Sequence, residues 1–278
     1  MIRTIASSKV FLCLGALLWC GAASAQSDSV AARKDYDQTK ADQHANKGQG
    51  SSNPVIDHGG PVLESSNTYA IYWGTNSDFP TDLQASMTDL LTGFSKSSYL
   101  GIAQQYMRTN SGIATTYSGT FTDTSAPPAK SPTTAQIGAE VCKLVAHPDP
   151  NGVYFVFTSN APHINFCAWH SAATCNGATF QVAYVPNQAL LPSCSPYTAK
   201  NLNCNSLSVG TVSSADSVAH EFMESISDPQ LNAWYDKSGE EIGDKCNFNY
   251  QACVDLAGKV GSWQIQSIWS NAINGCQQ

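Results

Sequence analysis

An unbroken apolar run, GVYFVFT at 152–158, constrains the fold more than any other segment of this sequence. A strand with apolar side chains on both faces must be covered on both faces, like the central strands of a sheet flanked by helices. The run at 69–73 has the same character, and apolar residues recur at helical spacing in 83–94 and 134–145. Because strands alternate with helices, we predict an α/β fold with a mixed central sheet flanked by helices.

Residues 1–25 have the pattern of a secretory signal peptide. Basic Arg3 and Lys9 lie around the start of a short apolar run, and the segment ends with Ala-Ser-Ala, a small-residue cleavage site. The apolar run is too short to span a bilayer permanently, so we expect no stable membrane anchor. Residues 26–54 are polar and predict a disordered leader. Residues 55–278 contain no repeat or second linker and predict a single domain.

Eight cysteines remain once the predicted signal is removed, and an even number in an exported chain predicts a domain reinforced by four disulfides. They are Cys142, Cys167, Cys175, Cys194, Cys204, Cys246, Cys253 and Cys276. Spacing does not select among the pairings, although Cys167 with Cys175 and Cys194 with Cys204 would close short local loops.

The predicted mature chain is acidic. Without Arg3 and Lys9, 12 of the 14 basic residues remain against 21 acidic ones, a net charge of −9 with histidine neutral. A chain without a basic patch does not displace counterions from phosphates, so we expect no nucleic-acid partner. We expect a secreted, extracellular or periplasmic protein. Its oligomeric state stays open.

The motif HEFME at 220–224 predicts a metal site on a helix. His220 and Glu224 are four positions apart, so they lie one turn apart on one helical face, where both can reach a zinc ion at about 2.0–2.2 Å. Glu221 beside them would be the general base that takes a proton from a metal-bound water. A carboxylate in place of the second histidine of HExxH also suits Ca²⁺, which is the alternative ion. We predict a polar cap for this helix within 213–216.

A second acidic cluster follows the predicted helix end at Asp228-Pro229 and contains Glu241 and Asp244. A carboxylate from such a later segment would complete three protein ligands and leave a fourth position open for water. We prefer Glu241 as the third ligand because its side chain reaches further, with Asp244 orienting His220. The alternative is a solvated acidic turn with surface salt links.

His170 lies in a cysteine-rich, loop-rich segment, 159–214, that follows the predicted central strand. Sites in α/β proteins collect at the carboxyl ends of strands. We therefore predict that His170 takes a catalytic role as an oxyanion-side or substrate contact. The segment 180–185 predicts an edge strand along which an extended peptide could lie.

Several segments resemble the EXORDIUM, or phosphate-induced protein 1, family. HEFMESISDPQLNAWY and EIGDKC, within 220–246, are similar to the HELAE helix, the NPLVNAWY-like continuation and the EIGDLC-like turn of its plant members. Further similar segments are HGGPVL at 58–63, YAIYWG at 69–74, FCAWH at 166–170 and QIQSIW at 264–269. The resemblance covers about residues 55–276 and implies a secreted, metallopeptidase-like domain with a zincin-like active helix.

Two functions follow from these patterns. The first is a secreted zinc-dependent metallopeptidase or related hydrolase that acts on a peptide or protein substrate. The second is a non-catalytic extracellular protein with a structural ion, which would contact cell-wall polymer through aromatic side chains. Those side chains would be Trp169, Trp234, Tyr235 and Trp263. Ser-His-Asp catalysis is disfavoured because no GxSxG motif is present.

Overall fold

The computed structural model of the chain describes residues 53–278. The predicted signal peptide at 1–25, and the predicted leader at 26–54 except for its last two residues, lie outside the described residues. Within them, the chain forms a mixed α/β structure around a five-stranded sheet.

The described strands are β1 (Ile56–Asp57), β2 (Ser65–Trp73), β3 (Ala114–Asp123), β4 (Gly152–Thr158), β5 (Trp169–Cys175), β6 (Ala178–Val185), β7 (Trp234–Tyr235), β8 (Val254–Asp255), β9 (Ser262–Trp263), β10 (Ile268–Ser270) and β11 (Gly275–Gln277). The described α-helices are α1 (Leu83–Gly93), α2 (Ser98–Gly101), α3 (Thr134–Leu144) and α4 (Val209–Ser227). Short 3-10 helices lie at Asn76–Asp78, Ile102–Tyr106, Gln188–Leu190, Pro192–Cys194, Pro196–Thr198 and Asp244–Cys246.

The main sheet has the strand order β3-β2-β4-β6-β5. The first four of these strands run parallel, and β5 runs antiparallel to β6. Every residue of β4 is buried, as its apolar run predicts. The predicted mixed central sheet is therefore confirmed, and α1 and α3 begin and end within one residue of the predicted segments.

Side chains of the central strand alternate between two covered faces of the sheet. On one face, Phe155 packs against Phe222 of α4, with ring centroids 6.3 Å apart, in a core that also contains residues of α1. On the other face, Val156 shares a second core with Ile137 of α3. The long helix that carries the HEFME motif therefore lies against one face of the sheet.

The edge-strand prediction for 180–185 is wrong. These residues belong to β6, which pairs with β4 on one side and β5 on the other, so the edge strand is β5. A two-residue turn, Asn176-Gly177, joins the two strands, and both residues have positive φ, 51° and 80°. Asn-Gly is the preferred sequence for such a hairpin turn. The Asn-Gly dipeptide therefore indicates a hairpin, and with it a strand in the small and polar residues of 169–175.

The predicted cap of the metal-site helix is also wrong. Helix α4 begins at Val209, where the Ser208 side chain accepts a hydrogen bond from the Thr211 N–H, and 213–216 lie inside the helix. The Asp82 carboxylate accepts hydrogen bonds from Ser208 and Thr211, so it joins the start of α1 to the start of α4. The helix ends before Asp228, as predicted.

Four disulfides join Cys142–Cys175, Cys167–Cys194, Cys204–Cys253 and Cys246–Cys276. The short local loops Cys167 with Cys175 and Cys194 with Cys204, which spacing alone did not select, do not form. Cys167 precedes β5 and Cys175 ends it, and an extended strand of this length separates its ends by roughly 20 Å. The bridges fit an oxidising extracellular environment. Among residues 53–278, no helix has the length and apolar character needed to cross a membrane.

An acidic pair, the buried Glu140 and the half-buried Asp123, lies between α3 and the end of β3. Lys143 forms an ion pair with Asp123, and it lies 3.5 Å from the Glu140 carboxylate. Burial and the neighbouring Asp123 carboxyl raise the pKa of Glu140 to about 7. The ordinary pKa of a glutamate is 4.5 in the unfolded chain. Glu140 therefore lowers the stability of the fold as the pH rises through this interval.

We expect Glu140→Gln to stabilise the protein more at pH 8 than at pH 5, because the amide resembles the protonated acid and never ionises. Thermal unfolding at both pH values measures the difference. Glu64→Gln is the control, since hydrogen bonds from Thr109 hold the pKa of Glu64 below its usual value, so Glu64 stays ionised at both pH values and its replacement should have nearly the same effect at each. An equal effect of Glu140→Gln at both pH values would contradict the assignment.

Candidate metal centre

A pocket lies between the edge strand β5, helix α4 and the turn at 240–247. Its lining includes every residue that the sequence analysis assigned to the site, namely His170, His220, Glu221, Glu224, Glu241 and Asp244. The fold brings them together because α4 packs against the sheet beside β5 and β6, while the turn binds to the helix through Glu224. Two histidines and four carboxylates from three separate segments thus face one cavity.

His220 forms a compact group with Glu224 and Asp244. Its Nε2 atom lies 3.2 Å from Glu224 Oε1 and 3.6 Å from Asp244 Oδ1. The His220 side chain is 14% exposed and that of Glu224 only 4%, so the group has one accessible side toward the pocket. Glu241 is the expected third member of this group, whereas the structure has Asp244 at that position.

The turn is held against the helix by the Glu224 carboxylate. Glu224 Oε1 accepts hydrogen bonds from the backbone N–H groups of Gly243, at 3.1 Å, and Asp244, at 3.0 Å. A side chain at position 243 would not fit, because an added Cβ would lie 2.8 Å from Glu224 Oε1 and 3.1 Å from the His220 ring. Glycine therefore allows the turn to approach both candidate ligands.

His170 joins the same cluster from the sheet. It pairs with Ala183 of β6, whose side chain belongs to the core shared with α4, so His170 points to the α4 face. His170 Nε2 lies 3.3 Å from Glu241 Oε2 and 3.5 Å from Glu224 Oε2. It forms a second compact group with Glu221 and Glu224. The sequence analysis treated His170 as a substrate contact, and the structure makes it a candidate ligand as well.

Asp216 supports the site from one turn before His220. Its carboxylate accepts hydrogen bonds from the Tyr250 hydroxyl, at 2.6 Å, and the Gln266 N–H, at 2.7 Å. Gln266 in turn donates to the Gly243 carbonyl at 2.8 Å, which completes a link from helix to turn. Burial raises the pKa of Asp216 to about 6, although these hydrogen bonds oppose the shift. Asp216 is four positions before His220, so it lies on the same helical face, and this spacing is the sequence pattern that indicates its place beside the site.

Apolar residues form the outer wall of the pocket. Phe166, Trp169 and Phe248 line it, together with the Cys167–Cys194 disulfide. Phe248 has a φ of 56°, a left-handed conformation that is uncommon for an aromatic residue. The wall offers a surface for apolar parts of a ligand next to the charged floor.

The aromatic surface expected for a polymer-binding protein does not form. Trp169 and Trp263 are only 5% and 1% exposed. Trp234 lies beneath the Arg108 guanidinium, and Tyr235 stacks on His58 with ring centroids 3.6 Å apart. These side chains therefore contact the protein itself rather than present a flat platform.

The donor set fits zinc better than calcium. Each compact group contains one imidazole and two carboxylates, which match the nitrogen and oxygen ligands of zinc, whereas calcium takes oxygen ligands. The separations of 3.2–3.6 Å between the histidine Nε2 atoms and the carboxylate oxygens of Glu224 and Asp244 are long for hydrogen bonds. They agree with the edge of about 3.3–3.6 Å in a tetrahedron of ligands at zinc bond lengths.

A scan against protein-family models, a search of curated proteins and a search of solved structures found no match for this chain. The resemblance to the EXORDIUM family therefore stays a prediction. The zincin-like character of helix α4 and the metal-dependent chemistry of the site also stay predictions.

We expect metal affinity at this site to rise with pH. Burial alone would lower the pKa of His220, but the neighbouring Glu224 and Asp244 carboxylates raise it well above its usual value. A ligating histidine must be neutral, so a bound metal displaces this proton. Zinc titration calorimetry at pH 6, 7 and 8, in buffers of different ionisation enthalpy, should show proton release and up to about tenfold tighter binding per pH unit. Constant affinity without proton release would contradict this.

Gly243→Ala should weaken zinc binding, because the added methyl group pushes the turn away from Glu224 and His220. Equilibrium dialysis of zinc against the metal-stripped protein measures the loss. Gly101→Ala is the matched control, since a Cβ there meets no atom within 4 Å. Unchanged zinc affinity in Gly243→Ala would show that the turn does not contribute to the site.

Proposed function

We propose that this protein is a secreted zinc-dependent hydrolase that cleaves peptide-type bonds, on an EXORDIUM-like domain with a zincin-like active helix. The observation that carries the proposal is the compact group of His220, Glu224 and Asp244 at the floor of a pocket. Four disulfides and the predicted signal peptide support export.

The roles of the residues follow from their positions. His220, Glu224 and Asp244 would hold the ion, and Glu241 would act beside His170 rather than in this group. When bound, zinc lowers the pKa of a water towards about 7 and polarises a carbonyl group.

Glu221 is the proposed general base. It lies next to His220 in sequence, lines the same pocket and is only 4% exposed. It would therefore take the proton from the attacking water and pass it to the leaving amine.

The pocket wall favours an extended, partly apolar substrate. Phe166 and Phe248 lie beside the charged floor, where they can exclude water and contact an apolar side chain. The Cys167–Cys194 bridge fixes the wall, so the substrate side of the pocket is positioned before binding.

We expect Glu221→Gln to abolish hydrolysis of a quenched fluorescent peptide library while zinc remains at the His220 position. His220→Ala should lose both that zinc and the hydrolysis, because it removes a ligand. Elemental analysis and the peptide assay measure the two effects. Glu240→Gln, from the same acidic turn but outside both compact groups, is the control. Wild-type hydrolysis in Glu221→Gln would end the proposed role of this residue.

A further inference from the structure

We propose that the pocket holds two divalent ions that share Glu224 as a bridging ligand. This inference deepens the proposed function and rests on it for the ion at His220. The second ion would lie at His170, Glu221 and Glu224, the other compact group of the pocket.

The orientation of Glu224 is the first argument. Its Oε1 atom faces His220 Nε2 at 3.2 Å, and its Oε2 atom faces His170 Nε2 at 3.5 Å. One carboxylate thus presents one oxygen to each histidine, as a bridging carboxylate does in a two-metal site. The backbone N–H groups of Gly243 and Asp244 fix this orientation through Oε1.

A single ion does not account for both histidines. The two compact groups have only Glu224 in common, so His170 and His220 do not belong to one set of mutually close donor atoms. Each group alone has the three donors that a zinc ion needs, with a further position left open. Glu241 adds a fourth carboxylate next to His170, at 3.3 Å.

The charge of the pocket is the third argument. Glu221, Glu224 and Glu241 are 4%, 3% and 2% exposed, and Asp244 lies with them at the pocket. Asp216 also lines the pocket, so five carboxylates gather at one cavity, and one divalent ion compensates less of their negative charge than two do. Uncompensated charge is costly to bury, so the composition favours a second cation.

The second ion leaves the proposed base in place. Glu221 can bind an ion through one carboxylate oxygen while its other oxygen accepts a proton. A two-ion site therefore differs from a single-ion site in two measurable ways: it holds two ions, and one of them is lost when His170 is replaced.

Zinc titration of the metal-stripped, disulfide-intact protein, by calorimetry and by elemental analysis after dialysis, tests the inference. We expect two zinc ions per wild-type chain, one in His170→Ala and none retained in Glu224→Ala. The affinity of the second zinc should fall by more than about 100-fold in His170→Ala. His163→Ala changes an exposed histidine of the neighbouring loop and should keep both ions.

Each other outcome has a defined meaning. One zinc per wild-type chain, lost in His220→Ala and kept in His170→Ala, overturns the second ion and leaves the proposed function. No retained zinc in the wild type overturns both. If His170→Ala does not fold, as judged by circular dichroism, His170→Gln replaces it, and two zinc ions in that variant would overturn the inference.

Discussion

The hydrogen bonds that the buried Glu224 carboxylate accepts from the turn at 243–244 are the interaction on which the site depends. They attach a polar turn to the one long helix that lies against the sheet, and they fix the direction of both carboxylate oxygens. They hold Asp244 beside His220 at the pocket. Gly243 makes the contact sterically feasible, and the Asp216–Gln266 link holds the turn from its other side.

The sheet supplies the complementary part of the site. Strand β5 runs antiparallel at the edge, so it places His170 opposite α4 while its neighbour Trp169 packs into the core on the other face of the sheet. The Cys142–Cys175 bridge ties the end of this strand to α3, and the Cys167–Cys194 bridge ties the residues before it to a later loop. The edge strand is thus fixed at both ends. Because it pairs with only one neighbouring strand, these bridges help to hold the His170 side chain in position.

Local patterns allowed prediction of the central strand, α1, α3 and the cluster of candidate site residues. Each of these predictions depends on a pattern within a few neighbouring residues, such as the apolar run at 152–158 or the one-turn spacing of His220 and Glu224. The disulfide pairs, the edge position of β5 and the proximity of His170 to Glu241 were not predictable in the same way. Each depends on segments that are distant in sequence and meet only through the tertiary fold.

The candidate ligands come from β5, α4 and a turn some twenty residues beyond the helical motif, so no part of the chain holds the complete set before these segments dock. An ion that binds such a site binds the native state and hardly the unfolded chain. Its binding then raises the free energy of unfolding of the whole domain, by about 2.7 kcal/mol at a free ion concentration one hundred times the dissociation constant. The concentration of the ion around the protein would in this way set the fraction of the chains that is folded.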